Sequence, residues 1–187
     1  MPVDDDLILD AAVEELRAYG LRRTSVDNVA RRAGLSRATV YRRFESKNVL
    51  VQAALVRESA RFFGEIVAAI GPLPTANERL VEGFVVGLRK VRTDALLARL
   101  LVSDPEELLP FLTLRGAGVI AAASEFLVDQ YRAVARPQPG GRDPRVLAEM
   151  LVRLAVSFTL TPDGAIAVHD DAAVREFARC YLAPLLP

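Results

Sequence analysis

Residues 24–47, TSVDNVARRAGLSRATVYRRFESK, have a spacing that predicts two short helices joined by a tight turn. Ala30, Gly34 and Val40 lie at positions i, i+4 and i+10. The first helix needs a small residue where the second crosses it, and the second helix needs an apolar residue that faces inward. The turn needs a positive φ, which glycine adopts without steric cost. With Ser36 placed to cap a helix over residues 37–43, the pattern predicts a helix-turn-helix.

The charge of the chain is concentrated around this stretch, although the chain as a whole is neutral. Its 187 residues carry 24 basic and 24 acidic side chains. Residues 1–16 hold six acidic residues and no basic one, whereas residues 17–47 hold nine basic residues against two acidic ones, a net charge of +7. A cationic segment in a neutral protein indicates an anionic partner such as nucleic acid.

Composition excludes several other classes of protein. Hydrophobic residues make up 51% of the chain and charged residues 26%, which excludes disorder as the dominant state. Cys180 is the only cysteine and His169 the only histidine, so one chain cannot supply an intramolecular disulfide or a multi-histidine metal site. We therefore predict no metal and no cofactor. Neither a signal peptide nor a membrane-spanning run is visible, and we expect a cytoplasmic protein that does not bind a membrane.

Helical periodicity over almost the whole chain predicts an all-α fold. Ile8, Ala12 and Leu16 recur at four-residue steps on one face of the first helix. Later helices are expected at about 47–70, 76–91, 94–102, 144–160 and 171–184, with one bent helix or two over 105–135. A change of character near residue 47 predicts an N-terminal three-helix domain, residues 1–47, and a larger helical domain, residues 48–187, with about nine helices in total.

The helix-turn-helix stretch resembles the DNA-binding signature of the tetracycline-repressor (TetR) family. The residues that match the family pattern are Thr24, Val29-Ala30, Ala33-Gly34-Leu35-Ser36, Tyr41, Phe44, Lys47 and Leu50. The match spans roughly residues 8–55, and beyond it the resemblance is one of length and helical layout. It implies a transcription regulator whose DNA-binding residues are Arg22, Arg23, Thr24, Ser36, Arg37, Thr39, Tyr41, Arg42 and Lys47.

Particular roles follow for some of these residues. The helix from Ser36 to Arg43 would enter the major groove, where Arg37 is the best candidate to read a guanine through its two acceptors. Tyr41 and Lys47 match positions that usually hold phosphates, and Lys47 also lies at a helix start, where free N–H groups favour an anion.

The resemblance also implies that residues beyond 48 dimerise and enclose a pocket for a small molecule. The last two helices are the expected interface, through Leu147, Leu151, Leu154, Phe158, Val174, Phe177 and Tyr181, unless these stripes are intramolecular core. Residues expected to line the pocket are Phe62, Phe63, Ile66, Phe84, Leu88, Leu101, Phe111, Arg115, Phe126 and Arg153. Both arginines interrupt apolar faces and either anchor an anion or lie at the surface.

These features together predict a homodimeric repressor that binds a palindromic double-stranded operator and is released by a small hydrophobic or amphipathic effector. The alternative is a DNA-binding regulator without a small-molecule effector. We do not expect an enzyme, because His169, Asp170 and Asp171 lie in a turn where an aspartate serves as a helix cap. No nucleophile elbow, phosphate-binding loop or metal-ligand spacing accompanies them.

Overall fold

A computed structural model describes residues 5–135 and 142–186 and confirms the predicted all-α fold with an N-terminal helix-turn-helix. The described residues contain ten α-helices: α1 (Asp5–Arg23), α2 (Val26–Arg32), α3 (Arg37–Arg43), α4 (Lys47–Ile70), α5 (Ala76–Thr93), α6 (Ala95–Ser103), α7 (Pro105–Leu112), α8 (Ala117–Arg132), α9 (Pro144–Leu160) and α10 (Asp171–Phe177). The bounds predicted for α3, α4 and α9 agree with the structure. Residues 105–135 form two helices, which accounts for one helix more than the predicted nine.

The chain divides into two compact units that do not follow sequence order. The first contains Met1–Phe63 and Asp94–Leu109, and the second contains Gly64–Thr93 and Pro110–Pro187. Helix α6 therefore belongs to the same unit as the helix-turn-helix. The predicted division at residue 47, between DNA binding and ligand binding, is a functional one and stays a prediction.

The first unit is built around α1. One face of this helix is fully buried through Ile8, Val13 and Leu16, and the core is completed from α2, α3, α4 and α6 by residues that include Val29, Val40, Leu50 and Leu100. Burial of an aliphatic side chain contributes about 1.5–3 kcal/mol, so this shared core holds the short helices α2 and α3, which would not be stable alone.

A glycine breaks α1 near its end. Gly20 has φ 80° and ψ −178°, and a last turn follows it up to Arg23. A Cβ at Gly20 would lie 2.2 Å from Asp104 Oδ2 and 2.3 Å from Ser103 Oγ. The break in α1 at Gly20 thus coincides with a close approach of the end of α6 to α1.

The second unit has its own core, formed mainly by α5, α9 and α10. Val85, Val174 and Ala178 are almost completely buried there. Phe84, Phe158 and Phe177 surround one another with ring centroids 5.8–6.3 Å apart. These edge and tilted contacts are the favourable arrangements for aromatic rings, so the three rings fix how α5, α9 and α10 pack together.

The last helix of the described chain widens before it ends. An α-helix was expected up to about residue 184, but α10 ends at Phe177 and continues as a π-helical turn, Ala178–Leu182, and a 3-10 turn, Ala183–Leu185. Pro184 has no N–H to donate, and its ring clashes with the carbonyl four residues earlier. The wider turn avoids that clash.

Among the described residues, no single helix is long and apolar enough to cross a membrane. Helices α7 and α8 have enough length and apolar character only when they are taken together, and the pair is bent by 54°.

Candidate nucleic-acid interface

Helices α2 and α3 are held in place by serine caps and by the turn between them. Ser25 Oγ accepts from Asn28 N at 3.2 Å, and Ser36 Oγ accepts from Thr39 N at 3.1 Å. Gly34 has φ +68°, and the N–H of Leu35 bonds to the carbonyl of Ala30 at 2.8 Å. The Ser36 cap and the positive φ of Gly34 are those that the sequence predicts, and together with the Ser25 cap they give α3 a fixed orientation on α2.

The outward face of α3 carries Arg37, the predicted base reader, and Tyr41, a predicted phosphate contact. Val40 is fully buried beneath the helix, while Arg37 and Tyr41 are exposed. The Arg37 guanidinium lies 5.3 Å from the centroid of the Tyr41 ring and 3.3 Å from Asp27 Oδ2. Arg37 is therefore partly ordered before DNA binds, but its exposed ion pair is weak enough to exchange for a base edge.

The hydroxyl groups of α3 are already engaged with each other. Ser36 Oγ and Thr39 Oγ1 lie 2.8 Å apart, a hydrogen bond in which either can be the donor. Each hydroxyl keeps acceptor capacity for a further partner. Ser36 is thus first of all a helix cap, and Thr39 is half-buried beside it.

The turn between α1 and α2 brings together the other predicted contacts. Thr24 is buried, and its hydroxyl donates to the carbonyl of Gly20 at 2.6 Å. Arg22 and Arg23 are exposed next to it, and Lys47 Nζ, at the start of α4, donates to the Arg22 carbonyl at 3.1 Å. Thr24 therefore orders this turn through its side chain, while the cations around it face solvent.

Ion pairs divide the basic residues of the segment into two groups. Four of the nine have carboxylate partners within 4 Å: Arg17 with Glu14 and Glu58, Arg32 with Glu15, Arg37 with Asp27, and Arg43 with Asp5. No carboxylate pairs with the remaining five in the part of the chain that the structure describes, namely Arg22, Arg23, Arg31, Arg42 and Lys47. Four of these five were predicted to bind DNA, and Arg31, which donates to Asn28 Oδ1 at 2.7 Å, was not.

Two buried carboxylates support the interface, and neither was among the predicted DNA-binding residues. Glu15 is 2% exposed, and it accepts from Asn28 Nδ2 at 2.6 Å and from Arg32 Nη2 at 3.3 Å. It ties α2 to α1. A glutamate on the apolar side of an amphipathic helix is a signal for such a role, but its partner depends on how the helices pack.

Asp104, the other buried carboxylate, was predicted to cap α7. Its backbone carbonyl does accept from the first turn of α7, but its carboxylate accepts from Leu21 N at 2.9 Å, Arg22 N at 3.1 Å and Ser103 Oγ at 2.6 Å. Burial acts to raise the pKa of Asp104, but these hydrogen bonds and the charge of Arg22 outweigh it and lower the pKa. Asp104 thus holds the turn that carries Arg22 and Arg23.

The residues predicted to line a ligand pocket lie in different surroundings. Three are buried (Ile66, Phe84 and Leu88), four are half-buried (Phe62, Phe63, Leu101 and Phe126), and three are exposed (Phe111, Arg115 and Arg153). Arg153 pairs with Glu149 at 2.7 Å on the surface of α9. Phe84 packs against Phe158 and Phe177, so it is part of the core of its unit.

The residues predicted to form a dimer interface also have mixed surroundings. Leu147, Leu151 and Val174 are buried within the second unit, and Leu154, Phe158 and Phe177 are half-buried against the same core. Tyr181 is 68% exposed. Met150, which belongs to the same stripe on α9, is 45% exposed. The inward half of each predicted stripe therefore packs within one chain.

Comparisons with known proteins agree over both parts of the chain. Residues 8–54 match the family model described as bacterial regulatory proteins of the tetR family, and residues 76–179 match the C-terminal domain of the bacterial tetracycline repressor. The first match covers nearly the same residues as the stretch, roughly residues 8–55, that resembles the DNA-binding signature of the family. The second extends the resemblance beyond the shared length and helical layout that the sequence alone indicated.

Individual relatives give the same picture. The regulator AlkX of Mycobacterium tuberculosis is 31% identical over 173 residues, which cover 90% of this chain and 79% of the relative. The crystal structure of the TetR family repressor AlkX from Dietzia sp., implicated in biodegradation of n-alkanes, is 26% identical and superposes with a TM-score of 0.69 over 97% of this chain and 98% of that one.

A more distant structure shares the fold. FadR from Bacillus subtilis, solved in complex with stearoyl-CoA, is 19% identical, with a TM-score of 0.59 over 95% of this chain and 98% of that one. Because the match to the C-terminal family model covers more than half of the chain and the helix-turn-helix matches the N-terminal model, this protein belongs to the TetR family of DNA-binding transcriptional regulators.

Proposed function

We propose that this regulator is a repressor that binds a palindromic operator as a homodimer and is released by a small hydrophobic or amphipathic molecule. The observation that carries the DNA-binding part is the group of unpaired cations around the exposed face of α3. Arg22, Arg23, Arg42 and Lys47 have no carboxylate partner in the described chain, whereas Arg32, Arg37 and Arg43 of the same segment do. Cations without a carboxylate partner are suited to phosphates.

Base reading is assigned to Arg37, with Ser36 and Thr39 beside it at the start of α3. The Arg37 fork matches the two major-groove acceptors of guanine. Its pair with Asp27 is exposed on both sides, with side chains 61% and 60% accessible, so little energy is needed to replace it. Phosphate contacts are assigned to Arg22, Arg23, Tyr41, Arg42 and Lys47, the last helped by the free N–H groups at the start of α4. Thr24, which was also predicted to bind DNA, is buried and is proposed to act by ordering the turn beside Arg22 and Arg23.

We expect a dimer because a palindromic operator has two half-sites, and each half-site is read by one recognition helix. The two half-sites are separated by one helical turn of DNA or by a multiple of one turn. The proposed interface is the outward part of the predicted stripes on α9 and the last helix, which includes the exposed Tyr181. Exposed aromatic and methionine side chains are typical of interface centres. The buried members of the stripes would support this surface from inside.

The effector class is proposed from composition and from the relatives. The predicted lining residues are almost all apolar, and FadR shows this fold in complex with an amphipathic molecule, stearoyl-CoA. The effector would select a state in which α4 shifts, which changes the separation of the two recognition helices. Absence of enzymatic activity stays a prediction.

The test begins with selection of duplexes from a random DNA pool by the purified protein, followed by affinity measurements on the selected site and on single-base variants of it. Arg37→Ala should lower affinity about ten- to a hundredfold and relax the preference at one base pair. Lys47→Ala is the matched control, because it should weaken all sequences alike. Loss of discrimination at one position in Lys47→Ala, with none in Arg37→Ala, would contradict the assignment.

The effector is tested on the same selected duplex. Stearoyl-CoA and hexadecane serve as probes of the amphipathic and the hydrophobic class, and either should weaken operator binding if the proposal holds. A regulator without a small-molecule effector, which is the alternative, would bind the duplex with unchanged affinity in the presence of both.

A further inference from the structure

The first compact unit contains a cleft between the end of α1, the α1–α2 turn and α6. Its volume is about 500 Å³. This volume is in the range of small-molecule sites in proteins. Its lining residues are Tyr19, Arg22, Arg23, Arg99, Val102, Ser103 and Asp104.

The cleft is strongly cationic. It contains three guanidinium groups and one carboxylate, and the carboxylate of Asp104 is already engaged by Ser103 Oγ and by the amides of Leu21 and Arg22. A carboxylate with three hydrogen bonds of its own has little acceptor capacity left for the arginines. The positive charge of the cleft is therefore only partly neutralised.

The arginines keep donors that the described chain does not use. Arg99 Nη2 donates to the carbonyl of Ala18 at 2.8 Å, while its Nε is buried and has no hydrogen-bond partner among the described residues. The side chain of Arg23 makes no hydrogen bond or ion pair in the described chain. Each guanidinium carries five N–H donors in a rigid fork that matches the oxygens of a phosphate.

Apolar surface borders these cations. Val102 is 79% exposed and Tyr19 is 45% exposed, although both lie on helices whose other faces are packed. An aromatic ring and an aliphatic side chain beside three arginines offer contact to the body of an organic molecule as well as to its charge.

We propose that this cleft binds a small organic phosphate, which competes with the DNA backbone for Arg22 and Arg23. The phosphate is held by the three guanidinium groups, and the organic part contacts Tyr19 and Val102. The competition rests on the proposed role of Arg22 and Arg23 as phosphate ligands of the operator. Because the same two side chains cannot bind both anions at once, an occupied cleft weakens DNA binding.

Calorimetry on the full chain without DNA tests the site, with phenyl phosphate as the probe, inorganic phosphate as the probe of charge alone and phenol as the probe of the ring alone. Phenyl phosphate should bind with one molecule per chain and more tightly than inorganic phosphate, and phenol should not bind measurably. Equal affinities for phenyl phosphate and inorganic phosphate, or no binding of either, would overturn the proposal.

Two matched pairs of variants locate the binding. Arg23→Gln should lower affinity for phenyl phosphate about tenfold, whereas Arg42→Gln, which removes an equally exposed and unpaired charge outside the cleft, should not. Val102→Asp should abolish binding, whereas Val56→Asp, which adds the same charge at a position 63% exposed on α4, should not. An equal loss within either pair would mean that general attraction, not the cleft, binds the anion.

The second arm adds the selected operator duplex at fixed ionic strength. Phenyl phosphate should weaken DNA binding by the wild-type chain and leave DNA binding by Val102→Asp unchanged. If Arg23→Gln weakens DNA binding but phenyl phosphate does not bind the free protein, the cations serve DNA alone and the site proposal fails. If phenyl phosphate binds but no duplex is selected, the site exists and the proposed operator function fails instead.

Discussion

Gly20 is the residue at which the structure allows the sharpest stability prediction. Its φ of 80° and ψ of −178° lie in a region that essentially only glycine adopts. A Cβ there would also lie 2.2 Å from Asp104 Oδ2 and 2.3 Å from Ser103 Oγ. Both distances are far below van der Waals contact, so Gly20→Ala forces either the backbone or the Asp104 carboxylate to move.

The cost has two parts. Backbone strain of this kind costs about 1–3 kcal/mol. Displacing the carboxylate breaks at least one of its bonds to the buried amides of Leu21 and Arg22, and a hydrogen bond to a charged group contributes about 1.5–3 kcal/mol. We therefore expect Gly20→Ala to lower the free energy of unfolding by about 3–5 kcal/mol, a large part of the stability of an ordinary domain.

Gly34 provides the control. It also has a positive φ, +68°, but a Cβ there would meet nothing within 4 Å. Gly34→Ala should therefore cost only the strain of a left-handed residue, about 1–2 kcal/mol. Urea unfolding followed by circular dichroism, at one protein concentration, compares the two variants with the wild-type chain.

A mutant cycle separates strain from collision. In an Asp104→Ala background the carboxylate is gone, so Gly20→Ala should lose the part of its cost that comes from the displaced hydrogen bonds. The reasoning is refuted if Gly20→Ala costs no more than Gly34→Ala, or if its cost is the same in both backgrounds.

Three further predictions concern stability. The pKa of Asp104 lies below its ordinary value, and so does the pKa of Glu82, which a hydrogen bond from Arg175 lowers. The stability that each carboxylate provides is complete above its ordinary pKa and is lost as the pH falls through the lowered pKa. The melting temperature should therefore fall less on acidification from pH 7 to about 3 in Asp104→Asn than in the wild type. Glu15→Ala should cost about 1–3 kcal/mol in urea unfolding because the half-buried side-chain amide of Asn28 loses its acceptor, and Glu15→Gln should cost less. Phe177→Ala should cost about 2–4 kcal/mol by removing the ring between two others, and a loss below 1 kcal/mol would contradict the aromatic core.

Local signals in the sequence predicted most of the secondary structure. Ser36 before a short periodic run and Ser46 before a long one place the starts of α3 and α4, because a cap acts on amides within one turn of itself. The end of the last helix was not predicted correctly. A helix can accommodate Pro184 either by ending before it or by widening the preceding turn, and the local sequence does not distinguish between the two. Packing of the buried Ala178 and Leu182 accompanies the second solution.

The partners of charged side chains could not be predicted in the same way. Asp104 was placed correctly at the start of α7, but its carboxylate bonds to amides 82 and 83 residues away. A hydrogen bond of that kind depends on where α6 lies against α1, and neither helix specifies this alone. The apolar stripes have the same limitation: Phe84 and Phe177 were expected in a pocket and an interface, and the sequence does not reveal that their rings contact each other.

The net charge of +7 overstates how much of the segment is available to DNA. Helix packing places Glu15, Asp27 and Asp5 beside Arg32, Arg37 and Arg43, which lowers the net charge where α1, α2 and α3 pack against one another. Around the α1–α2 turn the opposite holds, since Asp104 is the nearby carboxylate and its oxygens are used by backbone amides. Gly20 permits that arrangement because only a residue without a side chain lets Asp104 reach them. A single glycine thus lets backbone amides occupy the Asp104 carboxylate, so that the guanidinium groups of Arg22 and Arg23 keep their donors for an incoming phosphate.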